Sequence, residues 1–328
     1  MTTIVFFNNK SGTGKTSLAY HLAWMFADRG IKVVAADLDP QANLTSMFLE
    51  LDRLEDLWPE GDHPQSILGA IKPLVQGTGE IASPHVEDVA DNIGLIVGDL
   101  GFSSFEERFA EAWKRCLDGD ESAFRLLLAF HRVLLKAIQE READVALVDV
   151  GPNLGAINRA VMISGQFVVL PLLPDVYSWQ SLRSLGPALH RWREEWNERA
   201  EKNPLKVDLP AESMRIAGYV FQQHAMRLDR PVLSYQHWMR RIPAEYRESV
   251  LRQSPENAPA VKDDPECLHL LKPYRNLMLI AAEARKPMFF LKPADGALGS
   301  IAAAVQDCYR DYKALALALA KRCGLAVS

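Results

Sequence analysis

Asn8-Asn9-Lys10-Ser11-Gly12-Thr13-Gly14-Lys15-Thr16-Ser17 joins an apolar stretch, Thr3-Ile4-Val5-Phe6-Phe7, to a helical pattern that begins near Ser17. A Gly-x-Gly-Lys-Thr sequence at a strand-to-helix turn is suited to holding a polyphosphate. Consecutive backbone N–H groups wrap the anion, the helix N-terminus adds its positive dipole end, and a lysine reaches the β and γ phosphates. The threonine hydroxyl supplies a ligand for the Mg2+ that accompanies the nucleotide. Ser11, Gly12, Thr13, Gly14, Lys15, Thr16 and Ser17 are therefore the expected phosphate and metal contacts. The loop departs from its ordinary form at the start. Asn9 stands where a first glycine would fall, and a second lysine, Lys10, follows it.

Working outward, further apolar, β-branched runs read as buried strands: 31–36, 93–97, 145–150, 167–172, 216–221 and 288–291. Runs this continuous in apolarity fit a parallel sheet covered on both faces. Leu18, Leu22, Met25 and Phe26 mark one face of the helix after the loop. Leu298, Ile301, Val305, Cys308, Tyr312, Leu315 and Leu319 recur at three and four residues, predicting a docked C-terminal helix over about 297–322. The alternation predicts a doubly wound α/β fold, a mostly parallel sheet of about seven strands flanked by helices, with ligands at the strands' carboxyl ends. Two segments interrupt it. Residues 51–90, rich in proline and glycine, read as short helices and loops, and 102–143 as two amphipathic helices broken at Asp118-Gly119-Asp120. One domain over 1–328 with helical insertions is the expectation.

Composition narrows the class. With 48% hydrophobic and 24% charged residues in 328, the chain can bury a sizeable core. The net charge of −5 argues mildly against tight nucleic-acid binding, yet 215–292 carries 13 Lys/Arg against 8 Asp/Glu. The four cysteines are widely spaced, without a metal-knuckle pattern, and fit reduced thiols. No leader pattern and no apolar run of about 20 residues is present, which predicts a cytoplasmic protein without a membrane span.

Two more segments carry candidate chemistry. In Asp37-Leu38-Asp39-Pro40-Gln41-Ala42-Asn43, two carboxylates two residues apart leave a strand end toward one side. One suits the Mg2+ shell and the other an attacking water; a plain polar strand-to-loop transition would also account for them. In Val148-Asp149-Val150-Gly151-Pro152-Asn153, an aspartate closes an apolar strand as a Walker B carboxylate does, and Gly151 can bring a backbone N–H against a γ-phosphate.

Taken in order, these three elements resemble the ParA/MinD family of deviant-Walker ATPases, the ParA branch above all. Residues 8–16 resemble its N-x-K-G-G-x-G-K-T loop, 37–43 its D-x-D-P-Q-x-N segment and 148–155 its I-D-T-P-P-x-L-G strand end. Leu170-Pro171-Leu172-Leu173-Pro174-Asp175-Val176-Tyr177-Ser178, and Lys286-Pro287-Met288 followed by Asp295-Gly296-Ala297, are similar to later family segments. The resemblance implies ATP and Mg2+ as cofactors, an ATP-dependent sandwich homodimer, and slow hydrolysis used as a switch in plasmid or chromosome partition or in cargo positioning. It implies that Lys10 reaches the partner's phosphates and Asp39 positions water, with Lys10, Lys15 and Asp39 catalytic and Thr16, Asp37 and Asp149 at the metal. Ser11 replaces a family glycine, and Val150-Gly151 a Thr-Pro, which bears on dimer geometry and rate.

A ParB-like protein is the implied partner, and non-specific DNA a candidate through Arg227, Arg230, Arg240, Arg241, Arg247, Arg252, Lys272 and Arg275, interleaved with Tyr235, Trp238 and Tyr246. An ordinary arginine-rich surface is the competing reading. The leucine-rich tail reads as packing rather than as a membrane helix. Base contacts are expected from Gln222, Gln223 and the Lys292-Pro293 turn; the lack of an N-K-x-D motif favours adenine over guanine. An ATP-dependent synthetase or kinase on the same fold, or a nucleotide-gated scaffold that hardly hydrolyses, are the alternatives.

Overall fold

The central strand, β1 (Thr2–Phe6), sends alternate side chains to opposite sides, and both sides are buried. Ile4 and Phe6 enter one hydrophobic layer, Val5 and Phe7 the other. The same alternation runs through β2 (Val33–Leu38), β5 (Val145–Val150) and β6 (Phe167–Leu172), which explains their near-continuous apolarity. The computed structural model describes residues 2–205, 213–222, 226–227, 230–231 and 233–326, with the side chains of 226–235 excluded.

Eight strands form one sheet in the order β10-β7-β6-β1-β5-β2-β4-β3, where β3 is Glu87–Ala90, β4 Ile93–Ile96, β7 Arg215–Phe221 and β10 Cys267–Leu270. All neighbours are parallel except β3, which returns antiparallel along β4. A separate two-residue ladder pairs β8 (Met226–Arg227) with β9 (Arg230–Pro231). Register matters for the site. Phe6 and Asp37 each lie opposite Asp149, so the phosphate loop and both aspartate segments leave three adjacent strands at one edge.

One layer holds α1 (Lys15–Asp28), α2 (Asn43–Phe48), α3 (Leu51–Leu57), α11 (Arg275–Ala284) and α12 (Ser300–Cys323). The other holds α4 (Ile67–Gln76), α5 (Glu106–Arg115), α6 (Glu121–Leu127), α7 (Ala129–Arg141), α8 (Ala156–Ser164), α9 (Val176–Ala200) and α10 (Leu233–Glu245). Leu18, Leu22, Met25 and Phe26 are fully buried, as the periodicity predicts, although α1 begins two residues earlier than Ser17. In α12, Val305, Cys308, Tyr312, Leu315 and Leu319 are buried, whereas Leu298 lies exposed ahead of the helix. Burial of each large apolar side chain stabilises by roughly 1.5–3 kcal/mol, so helix docking outweighs propensity here.

Three expectations need correction. Met288–Phe290 is a 3-10 turn rather than a strand. Pro287 and Pro293 bracket it and cannot donate to a ladder, and the turn packs under α12 instead. Its place in the sheet is taken by β10, and β3 adds an edge, giving eight strands instead of seven. Residues 102–143 form three α-helices, not two, with the break at Asp118–Asp120 closed by Gly119 in the left-handed region. Phe102, Phe109, Phe124 and Phe130 from this segment lie fully buried against the sheet layer.

Candidate functional site

The loop after β1 is braced before it turns. Asn8 Nδ2 donates to the Pro171 carbonyl at 2.8 Å, and Asn8 Oδ1 accepts from the Lys10 N–H at 2.9 Å. Gly12 and Gly14 adopt φ of 71° and 81°, in the region glycine enters without strain, and Gly14 caps α1. Lys15 is buried, its Nζ 3.4 Å from the Lys10 carbonyl. Burial lowers its pKa, and the Asp149 and Asp39 charges oppose that shift.

Asp149, at the end of β5, is fully buried and neither carboxylate oxygen has a hydrogen-bond partner. Burial and then the Asp37 charge push its pKa well above the ordinary range, against the pull of Thr16 and Lys15. Asp37 is also fully buried, accepting from the Thr45 N–H at 2.7 Å, the Thr45 hydroxyl at 2.8 Å and the Asp39 N–H at 3.3 Å. Burial nevertheless raises it to about 7, the Asp39 charge adding to the effect. Asp39 faces the cavity, accepts from the Gln41 N–H at 3.0 Å, and would crowd a Cβ at Gly151.

This is a surplus of buried negative charge that a divalent cation would relieve. Among the described residues, no group of three or more His, Cys, Asp or Glu side chains is arranged to hold an ion alone. Mg2+ does not need one, since it usually takes one or two protein ligands and completes its shell with phosphate oxygens and water. The orphaned Asp149 carboxylate and the Thr16 hydroxyl fit that role. Asp37, engaged by Thr45, is placed to act from behind them.

The loop opens into a cavity of about 780 Å3. One end is the phosphate loop with Asp39; the other is walled by Tyr20, Leu271, Pro273, Tyr274, Met278 and Lys286. That second wall, supplied by Tyr20 of α1, the segment after β10, and α11 with the residues just past it, went unread in the sequence. Pro293 does not line the cavity, and Gln223 lies outside the described residues. Gln222 does line it, but its side-chain amide is turned to the loop, donating to the Thr13 carbonyl at 2.6 Å.

Lys10 points elsewhere. Its Nζ pairs with Asp175 Oδ2 at 2.6 Å and lies 5.1 Å from the Tyr177 ring centroid, at the start of α9. It does not line the cavity of its own chain, while Tyr177 is 63% exposed beside it.

Several of the basic residues among those described are already engaged. Arg247 pairs with the buried Asp264, Arg252 with Glu194 and Lys272 with Asp307, and Arg275 lines the cavity. The side chains of Arg227, Arg230 and Tyr235 lie outside the described residues, and Tyr246 is core. Arg240 and Arg241 are exposed on α10, and Arg241 stacks 4.6 Å from the Trp179 centroid and 5.6 Å from that of Trp238. Arg183, absent from the sequence reading, joins them 5.0 Å over Trp179.

His21 fixes the floor of the cavity. Its Nδ1 lies 2.7 Å from the Ser17 carbonyl, its Nε2 accepts from the Met288 N–H at 3.3 Å, and it stacks on Tyr312. Burial lowers its pKa from 6.5 to about 4. A base depressed in the folded state favours folding fully above pH 6.5 and loses that contribution as pH falls toward 4. At pH 5 the loss is about 2 kcal/mol. Unfolding free energies from urea titrations at pH 7.5 and pH 5 are expected to differ by that much more in the wild type than in His21→Gln.

Comparison with known proteins agrees with this geometry. The AAA domain profile AAA_31 matches residues 1–202. Protein IncC of Escherichia coli is 29% identical over 185 residues, 56% of this chain and 44% of that protein. The virulence plasmid ParA family protein pGP5-D of Chlamydia trachomatis is 26% identical over 222 residues, 64% of this chain and 75% of that one. The ATP complex of a Cyanothece McdA variant shares the fold, with a TM-score of 0.66 at 15% identity over 100% of this chain and 98% of that one. The chain spans about half the length of curated relatives such as IncC. A phosphate loop with Lys10 ahead of Lys15, two aspartates on flanking strands and a profile match over 1–202 lead to one conclusion: the chain belongs to the AAA domain family AAA_31, the ParA/MinD-like P-loop ATPases.

Proposed function

We propose that this protein is a Mg2+-dependent ATPase that closes into a homodimer over two ATP molecules. In this reading it serves as a cytoplasmic switch for DNA partition or for positioning a protein cargo, with a ParB-like protein as partner. One observation carries the reading. Lys10 sits on the loop, yet its ammonium is held outward against Asp175 and Tyr177 instead of over its own cavity. A cation there is placed for a phosphate presented by a second copy across the face that carries Tyr177.

The roles of the chain's own groups follow. Backbone N–H groups of the loop and Lys15 would hold the phosphates, and Thr16 with Asp149 would hold Mg2+, which supplies charge neutralisation when bound. Asp39, facing the cavity, would orient the attacking water, and Gly151 would report the γ-phosphate to α8. Asn158 couples to that loop by donating to the Gly151 and Asn153 carbonyls at 2.7 and 2.8 Å. Lys10 of the second copy would meet the charge that develops on the transferred group in a water-poor interface.

Light scattering and phosphate release in ATP and in ADP test this. The expected result is dimers with ATP only and slow turnover. A synthetase or kinase would turn over only with its small substrate, and an inert scaffold would release no phosphate.

DNA, where bound, would meet Arg183, Arg240 and Arg241 among the indoles of Trp179 and Trp238. Replacing Arg240 and Arg241 by Ala is expected to weaken retention of random duplex in ATP and to flatten its log–log salt slope by about 0.9 per lost phosphate contact. Retention measured between low and moderate salt checks this; an unchanged slope would place DNA elsewhere or nowhere. Among the described residues no helix is long and apolar enough to cross a membrane.

A further inference from the structure

We infer that Gln222 is a positioning residue for the phosphate loop: it sets the orientation of the Thr13–Gly14 peptide, and so selects nucleotides that carry a β-phosphate. This rests on the nucleotide-binding reading above and concerns a residue that contributes no charge. Gln222 follows β7, held by its own N–H to the Leu172 carbonyl at 2.8 Å, and is 8% exposed. From there its Nε2 reaches across 209 residues of sequence to the Thr13 carbonyl at 2.6 Å.

A trans peptide puts its carbonyl and its N–H on opposite sides. With the Thr13 oxygen drawn to Gln222, the Gly14 N–H must point away from Gln222. In a loop of this sequence such N–H groups cradle the α and β phosphates, and that of Gly14, next to the lysine that reaches the β and γ phosphates, would serve the β-phosphate. The packing enforces the same choice. A Cβ on Gly14 would collide with both Nε2 and Oε1 of Gln222 before it met Cδ, so the end of the amide butts against the glycine. Glycine at φ 81° is also the residue most free to flip its peptide, and the abutting amide blocks the space a flip would sweep. Because Gln222 also lines the cavity, it links the base end of the site to the phosphate end.

The test is calorimetric titration of Mg-ATP, Mg-ADP and AMP into the wild type, Gln222→Leu and Gln222→Glu. Leucine keeps the bulk and loses the donor. The expected result for it is about tenfold weaker ATP and ADP binding, the scale of one lost hydrogen bond to a buried group, with AMP changed by less than about twofold. Glutamate, which also lacks the donor, should weaken ADP at least as much. Equal loss for all three nucleotides, or no loss for ADP, overturns the inference. A wild type that binds no ATP overturns the nucleotide reading instead. If both variants unfold, 15N-glycine spectra of the wild type decide. The Gly14 amide should shift on adding Mg-ADP and stay in place on adding AMP, and a shift of the same size with AMP would contradict the assignment.

Discussion

Asp149→Asn is expected to stabilise the nucleotide-free protein while reducing ATP turnover at least about a hundredfold. The two effects have one cause. The carboxylate is fully buried, its oxygens have no hydrogen-bond partner, and Asp37 stands opposite on the next strand. Without Mg2+, and with burial outweighing the pull of Lys15, it costs folding free energy either as a charge or as an acid forced to hold its proton. An amide of the same shape removes the charge and should recover on the order of 1–2 kcal/mol, a rise of a few degrees in melting temperature. Turnover should fall because the same oxygens are the candidate Mg2+ ligands, and loss of one electrostatic stabiliser commonly costs about 10²–10³ in rate. Differential scanning calorimetry without nucleotide and phosphate release with Mg-ATP give the two readings. A variant both less stable and inactive would indicate a packing role only.

Lys10→Ala is expected to abolish ATP-dependent dimers and cut turnover by about 10³, the lower range for a cation supplied across an interface, while ATP affinity changes by less than about threefold. That separation follows from where the ammonium sits, outside its own cavity and on the rim. Its resting partner gives a companion variant. Asp175 caps α9 through the Ser178 N–H at 2.8 Å while its other oxygen holds Lys10. Asn at 175 would keep the cap and release the lysine. Partly exposed ion pairs are worth about 0.2–1 kcal/mol and each dimer gives up two, so Asp175→Asn should tighten the dimer by roughly two- to thirtyfold. Light scattering across a concentration series checks both variants.

The parts of this molecule that could be read from sequence are those whose physics is local. The phosphate loop, with glycines at positive φ between a buried strand and a helix, is one; Asp149 at a strand end is another. Buried parallel strands announce themselves because both faces need apolar residues, as in Val145–Val150. Short edge strands do not. Cys267–Leu270 contains a histidine and Glu87–Ala90 two acids, so neither carries the pattern of a covered strand. Met288–Leu291 carried it falsely, since four apolar residues between prolines pack equally well as a turn beneath a helix. The wall of the cavity beyond the phosphate loop was unreadable for a different reason. Tyr20, Met278 and Lys286 converge only once α1 and α11 dock on the same face of the sheet. Gln222 lines the cavity, but its bond to Thr13 could not be read, because nothing near it in sequence points to that loop.

The central claim, that each site is completed by Lys10 of a second copy, is tested most directly by mixing two inactive variants. Lys10→Ala keeps its own Asp39 and lacks the cation it would lend; Asp39→Asn lacks the water-orienting carboxylate and keeps Lys10. In a mixed dimer the Lys10→Ala chain has a site with Asp39 intact and receives Lys10 from the other chain. Phosphate release from an equimolar mixture should therefore rise well above that of either variant alone, with one intact site in each mixed dimer. A mixture no more active than either variant alone would contradict the account.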